Sequence, residues 1–214
     1  MKSALPRLSV CLTFAFALCP SAGSAAVVLV NGGLEMATGH EGLTITVNPG
    51  VSYNGWTSTG GAALEFVGVT PTVTPSAGGN GFVDLNGTTG PGTLSQSLNT
   101  AIGQMYRVDF SLSGNPGLND RLMDKPMSVT WNGVSVGSFV FQHLPTDHLN
   151  SIRWEDHSVF VTAVNGSDVL SFMSTGGAND AGAMIDEVSI TPVPEPASLA
   201  LASFGLLALR RRRA

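Results

Sequence analysis

Between Val27 and Val193 the apolar residues come in short runs separated by Gly, Pro, Asn, Asp, Ser and Thr, and no long stretch repeats with a helical period. Short runs bounded by turn formers are strands, and a chain made only of them folds as an all-β sandwich. The pattern predicts strands at Val27–Asn31, Leu43–Val47, Leu64–Val69, Phe82–Asn86, Thr93–Leu98, Met105–Leu112, Met127–Trp131, Val134–Phe141, Ile152–Thr162, Asp168–Ser174 and Met184–Thr191. Thr70 to Gly81 and Gly114 to Pro126 are expected to be longer loops.

The clearest alternation sets Tyr106, Val108, Phe110 and Leu112 against Arg107, Asp109 and Ser111, a strand with one face in the core and one in water. Trp131-Asn132-Gly133-Val134 predicts a two-residue hairpin, because Asn-Gly tolerates the positive φ angles such a turn needs. On the last strand, regular parity would put Met184, Asp186, Val188 and Ile190 on one face, with a carboxylate among apolar side chains. Such an acid must be protonated, paired, bound to a metal or bulged outward, and the apolar Ile185 beside it fits the bulge.

The two ends have a different character. Lys2 and Arg7 precede an apolar stretch from Leu8 to Leu18, and Ser21-Ala22-Gly23-Ser24-Ala25-Ala26 follows. Positive charge, a short apolar run and small residues in that order make residues 1–26 a secretory signal peptide, with cleavage expected at Ala25 or Ala26 by a signal peptidase. At the other end Val193-Pro194-Glu195-Pro196 leads into the apolar run Ala197 to Leu209 and then Arg210 to Arg213. A helix over that run would be about 20 Å long, short of the ~30 Å hydrocarbon core, and the arginines behind it would stay cytoplasmic. Contact with the membrane through this tail is therefore expected to be transient. The segment from Val193 to Ala214 resembles the PEP-CTERM sorting signal. That resemblance implies removal of the tail by an exosortase, in a Gram-negative bacterium that also makes extracellular polysaccharide.

Charge narrows the partners. Six of the ten basic residues lie in the two ends, which leaves four against fourteen acids between Val27 and Val193, about ten net negative charges. Phosphate-backbone binding relies on clustered Lys and Arg, so nucleic acid is excluded as a partner. An acidic exported domain suits divalent cations or neutral polymers. Cys11 and Cys19 both lie in the signal peptide, so the mature domain forms no internal disulfide.

Catalytic chemistry finds little support. His143, His148 and His157 fall near Asp147, Glu155 and Asp156, but gaps of five and nine residues match no zinc motif. Glu155 and Asp156 are strand neighbours and would point to opposite faces. The chain has no Gly-x-Ser-x-Gly elbow, no phosphate-cradling loop followed by Lys, and no cysteine nucleophile outside the export signal. No catalytic residue is assigned. Tyr53, Trp56, Trp131 and Trp154 are the candidate stacking platforms for a sugar, with core packing the alternative for Trp56.

Several segments resemble, in order, the choice-of-anchor C family: Asn31-Gly32-Gly33-Leu34-Glu35, Gly55-Trp56, Gly81 to Gly87, Leu94 to Leu98, Gly103 to Phe110, Leu170 to Ser174 and Gly182 to Ile190. The resemblance implies a single galactose-binding-like jelly roll over residues 27–192, followed by the sorting tail. It implies too a calcium ion held between Glu35 and Asp186, as in related carbohydrate-binding jelly rolls. The expected protein is a non-catalytic component of the outer surface or extracellular matrix, binding polysaccharide. Its alternatives are a structural or adhesive protein with a protein partner and, less favoured, a hydrolase.

Overall fold

The computed structural model describes residues 27–88, 90–117, 123–176 and 180–194, so residues 1–26, where the export signal is expected, and the tail from Glu195 onward lie outside the described residues. The strands in chain order are β1 (Thr44–Val47), β2 (Ser52–Tyr53), β3 (Trp56–Ser58), β4 (Leu64–Gly68), β5 (Gly81–Asp84), β6 (Asn86–Gly87) and β7 (Gly90–Pro91). They continue as β8 (Thr93–Asn99), β9 (Met105–Gly114), β10 (Lys125–Trp131), β11 (Val134–Phe141), β12 (Glu155–Thr162), β13 (Ser167–Ser174) and β14 (Ala183–Pro192). One six-stranded sheet has the order β1-β4-β5-β14-β9-β12, the other β11-β10-β13-β8-β3-β2, and β6 pairs with β7 alone. All paired strands are antiparallel.

The alternation read from the sequence assembles the core. Tyr106, Val108, Phe110 and Leu112 of β9 enter one cluster with Val83, Ile185 and Val188 from their own sheet and Leu94, Leu98, Val129, Leu170 and Phe172 from the facing one. The hairpin at Asn132-Gly133 forms with φ of 52° and 79°, and Trp131 pairs with Val134. A second Asn-Gly turn, at Asn54-Gly55 with φ of 44° and 95°, joins β2 to β3. It carries the same sequence cue, but its strands are only two and three residues long, too short to show alternation.

Two expectations are corrected, and the alternatives left open for Asp186 are narrowed to a bulge. Val27–Asn31 is not a strand, because the side-chain amide of Gln96 takes the place of a ladder: its Oε1 accepts the Val30 N–H at 2.7 Å and its Nε2 donates to Val30 O at 2.9 Å. Ile152–Trp154 does not belong to β12 but crosses the outside of the first sheet, where Ile152 and Trp154 pack with Phe82 and Met184. On β14 the register shifts between Asp186 and Ser189, with Glu187 at φ 47°. This bulge reverses parity: Ile185, Val188 and Ile190 face the core, whereas Met184 and Asp186 lie on the outer face.

Candidate functional site

The outer face of the first sheet is closed at one end and open at the other. At the closed end Trp154 lies edge-on to Phe82 with centroids 5.7 Å apart, and its indole N–H donates to Pro75 O at 2.9 Å, fastening the loop before β5 to the chain before β12. Two residues along β5 from Phe82, Asp84 is also buried and accepts N–H groups of Asn86, Gly182 and Asn115 at 2.9, 3.2 and 2.7 Å. Burial, assisted by the charge of Glu65, pushes its carboxyl up to about 7.

Beyond the roof, register across β14, β9 and β12 sets outward side chains in rows: Asp186, Ser111 and Asp156; Ser189, Asp109 and Ser158; Thr191, Arg107 and Phe160. A groove of about 350 Å³ is lined by Arg107, Asp109, Ser111, Asp156, Ser158 and Glu187, with Phe110 and His157 contributing to its walls. Arg107 and Asp109 pair at 2.7 Å, and the Ser111 hydroxyl donates to Asp156 at 2.8 Å. Phe160 stands 59% exposed opposite Arg107, on the same strand face as Asp156 and Ser158. An exposed aromatic beside hydroxyls and carboxylates can cover the apolar face of a sugar ring while its hydroxyls hydrogen-bond alongside.

None of the four aromatic residues singled out from the sequence is placed this way. Trp56 and Trp131 are buried in the core, with indole N–H groups donating to Asn31 O and Thr162 O at 2.9 and 3.1 Å, so neither offers a face to a ligand. Tyr53 is half-buried against Phe66, and its hydroxyl is joined to Ala37 N and His40 Nδ1, each at 3.0 Å. Trp154 belongs to the roof. The missed residue is Phe160, and its cue was present in the sequence: along β12 it falls in the parity of Asp156, Ser158 and Thr162, an aromatic among polar positions.

The histidines do not converge. The His143 side chain is buried edge-on against Phe141, His148 is exposed in a turn bridged to Ser151, and His157 lies between Phe110 and Phe139. Burial holds His143 below its ordinary range, with the charge of Lys125 acting in the same direction. Glu155 pairs with Arg153 and Asp156 with Ser111, on opposite faces of β12 as strand geometry requires.

Glu35 and Asp186 meet the same turn. Asp186 accepts the N–H groups of Ala77 and Gly78 at 2.8 and 3.2 Å and that of Glu187 at 2.7 Å, while Glu35 accepts that of Asn80 at 2.5 Å. Glycine suits this turn: Gly79 has a φ of +58°, which L side chains rarely adopt, and the carboxylates of Glu187 and Glu35 occupy the space a Cβ on Gly78 or Gly79 would take. Burial pushes Asp186 up to about 7, and the charge of Glu187 adds to the rise. Glu35 and Asp186 form no salt bridge with a basic side chain among the described residues, and carboxylate oxygens are among the ligands a hard divalent cation takes. Among the described residues no three His, Cys, Asp or Glu side chains are grouped to hold a metal, so backbone oxygens would have to supply much of any shell.

Fold and face together define an all-β jelly-roll sandwich with a polar groove on one sheet. The chain belongs to the DUF642 family, described as proteins of unknown function, whose model matches residues 27–191. Residues 192–214 match the PEP-CTERM protein-sorting motif, which marks an exported protein associated with the cell surface. Of that motif Val193 and Pro194 end the described chain, while Glu195, Pro196 and the apolar run lie outside it. No helix among the described residues is long and apolar enough to cross a membrane.

Comparison with curated proteins gives no match. Among solved structures, the K1 cleaved adhesin domain of Lys-gingipain from Porphyromonas gingivalis W83 is similar over 72% of this chain and 100% of its own, at 13% identity and a TM-score of 0.51. A family 35 carbohydrate binding module from Clostridium thermocellum is similar over 70% of this chain and 98% of its own, at 16% identity and a TM-score of 0.46. Another, from Paenibacillus barcinonensis, covers the same shares at 20% identity and a TM-score of 0.42. At these identities the likeness is one of fold.

Proposed function

We propose that the domain is a non-catalytic module of the bacterial outer surface or matrix that binds extracellular polysaccharide on the open end of its first sheet, after a signal peptidase and an exosortase have removed the two ends. The observation that carries this reading is the groove of about 350 Å³ beside the exposed ring of Phe160. The walls offer hydroxyls, carboxylates and a guanidinium, the groups that hydrogen-bond sugar hydroxyls, and the site is shallow. Affinity is therefore expected between millimolar and micromolar, about −4 to −8 kcal/mol. The ordered resemblance to the choice-of-anchor C family supports the same reading. It also supports a structural calcium ion at Glu35 and Asp186, which would draw together the loop before β5 and the last strand and neutralise acids that have no basic partner.

The test uses native protein recovered from the producing cells. Its intact mass is expected to lack Ala197 to Ala214, and affinity electrophoresis in gels carrying the cells' own polysaccharide is expected to retard it. Phe160→Ala and Asp109→Ala should each restore mobility. Retardation unchanged in both variants would move the site elsewhere, and no retardation with any polysaccharide would leave an adhesive protein with a protein partner as the better reading.

A further inference from the structure

The charges within the groove are not balanced. Arg107 is occupied by Asp109 at 2.7 Å, and Arg153 is turned to Asp147 and Glu155, so Asp156 and Glu187 face the opening without a basic partner among the described residues. The bulge on β14 produces part of this arrangement: it inserts Glu187 at φ 47°, out of the strand's regular alternation, so that the residue lines the groove's edge with its carboxylate beside Gly78 and Gly33. From Phe160 to Asp156 the strand runs four residues, about 13 Å, the length of a short oligosaccharide.

From this we infer that the ligand is a glycan bearing protonated amines, such as a de-N-acetylated hexosamine polymer, bound with a ring on Phe160 and its ammonium groups at Asp156 and Glu187. The inference rests on the proposed groove and names the class of sugar it takes. A neutral sugar would strip water from the two carboxylates and return only hydroxyl hydrogen bonds, whereas an ammonium returns charge-assisted ones. A uronate would place like charge against them, which discriminates strongly because the domain already carries about ten net negative charges. The ring of Phe160 adds what a simple cation lacks, a surface that rewards the flat apolar side of a sugar.

Calorimetric titration of the full mature domain with a glucosamine hexamer, its N-acetylated counterpart, a galacturonate oligomer and a lysine oligomer tests this. The glucosamine hexamer is expected to bind at least about tenfold more tightly than the acetylated one, with no binding of galacturonate. The preference should vanish in Asp156→Asn/Glu187→Gln and at high salt, and persist in Glu41→Gln, an exposed acid away from the groove. Phe160→Ala should weaken the glucosamine hexamer and leave the lysine oligomer unaffected. Equal binding of both hexamers, or a preference retained in the double variant, would overturn the amine assignment; if Phe160→Ala then weakened both hexamers, the groove itself would stand. Lysine oligomer binding as tight as glucosamine and equally insensitive to Phe160→Ala would reduce the effect to charge attraction and overturn it as well. Binding of no glycan at all would remove the groove reading together with this one.

Discussion

The two ends of the first sheet's outer face are built from the same strands and behave differently. Where Trp154 and Ile152 cross it, Phe82 and Met184 are fully covered and even Asp84 and Ser113 are removed from water. A few residues further along β9, β12 and β14, the outward side chains are Arg107, Ser158, Phe160 and Thr191, all exposed. The outward side chains differ: Phe82 and Met184 give the crossing chain an apolar surface at the closed end, whereas at the open end only Phe160 interrupts a polar face. A loop that finds an apolar partner on the sheet becomes a roof and adds to stability; where no loop lands, the face remains free for a ligand.

The contrast is broken most directly at its two phenylalanines. Phe82→Ala should cost about 3–5 kcal/mol in chemical denaturation, since it empties a buried site beneath the roof. Phe160→Ala should change stability by no more than about 0.5 kcal/mol, because the ring touches mostly water. A large loss from Phe160→Ala would mean that the open end is part of the core.

The fastening of the roof at the turn of Ala77 to Asn80 gives the next effect. If calcium occupies Glu35 and Asp186, thermal unfolding in millimolar calcium should exceed that in chelator by about 2.7 kcal/mol at a hundredfold excess over Kd. That is a rise of roughly 5–10 °C for a domain of this size. An unchanged midpoint, or the same rise in Glu35→Ala and Asp186→Ala, removes the metal and leaves the two carboxylates as acceptors for backbone N–H groups.

The smallest effect concerns Asp84, buried where the open end has no counterpart. Its folded-state value of about 7 stands above the ordinary carboxylate value of about 4, so the fold holds a proton there that the unfolded chain releases. Its contribution to stability is then fully present below about pH 4 and is lost as pH rises through about 7. The neutral acid has a ready acceptor, because Asn115 Oδ1 has no hydrogen-bond partner among the described residues and a flipped amide would present it to Asp84. Asp84→Asn should therefore flatten the fall in midpoint between pH 5 and pH 8, by a few degrees at the upper end. A variant with the same pH slope as the parent would assign that slope to other acids.

Much of the sandwich was legible because a strand's period of two leaves a mark on every residue. β9 was readable from Tyr106 to Leu112, and the Asn132-Gly133 turn from two residues whose backbone freedom it needs. The same alternation carries the cue for Phe160, an aromatic in the parity of Asp156, Ser158 and Thr162 along β12. Chain order alone could not show that Gln96 would replace a strand ladder at Val30, that the turn at Ala77 would cap the bulged Asp186, or that Trp154 would close over Phe82. Each depends on a contact between segments far apart in sequence: Val30 with Gln96, Asp186 with Ala77, Trp154 with Pro75. The sequence by itself determined most of the longer strands, the acidic character and the sorting motif at residues 192–214, because these follow from local composition and periodicity. Tertiary structure alone decided that the chain at Ile152 and Trp154 crosses Phe82 and Met184 and leaves the polar end open, because that choice is made by segments far apart in sequence packing across the sheet.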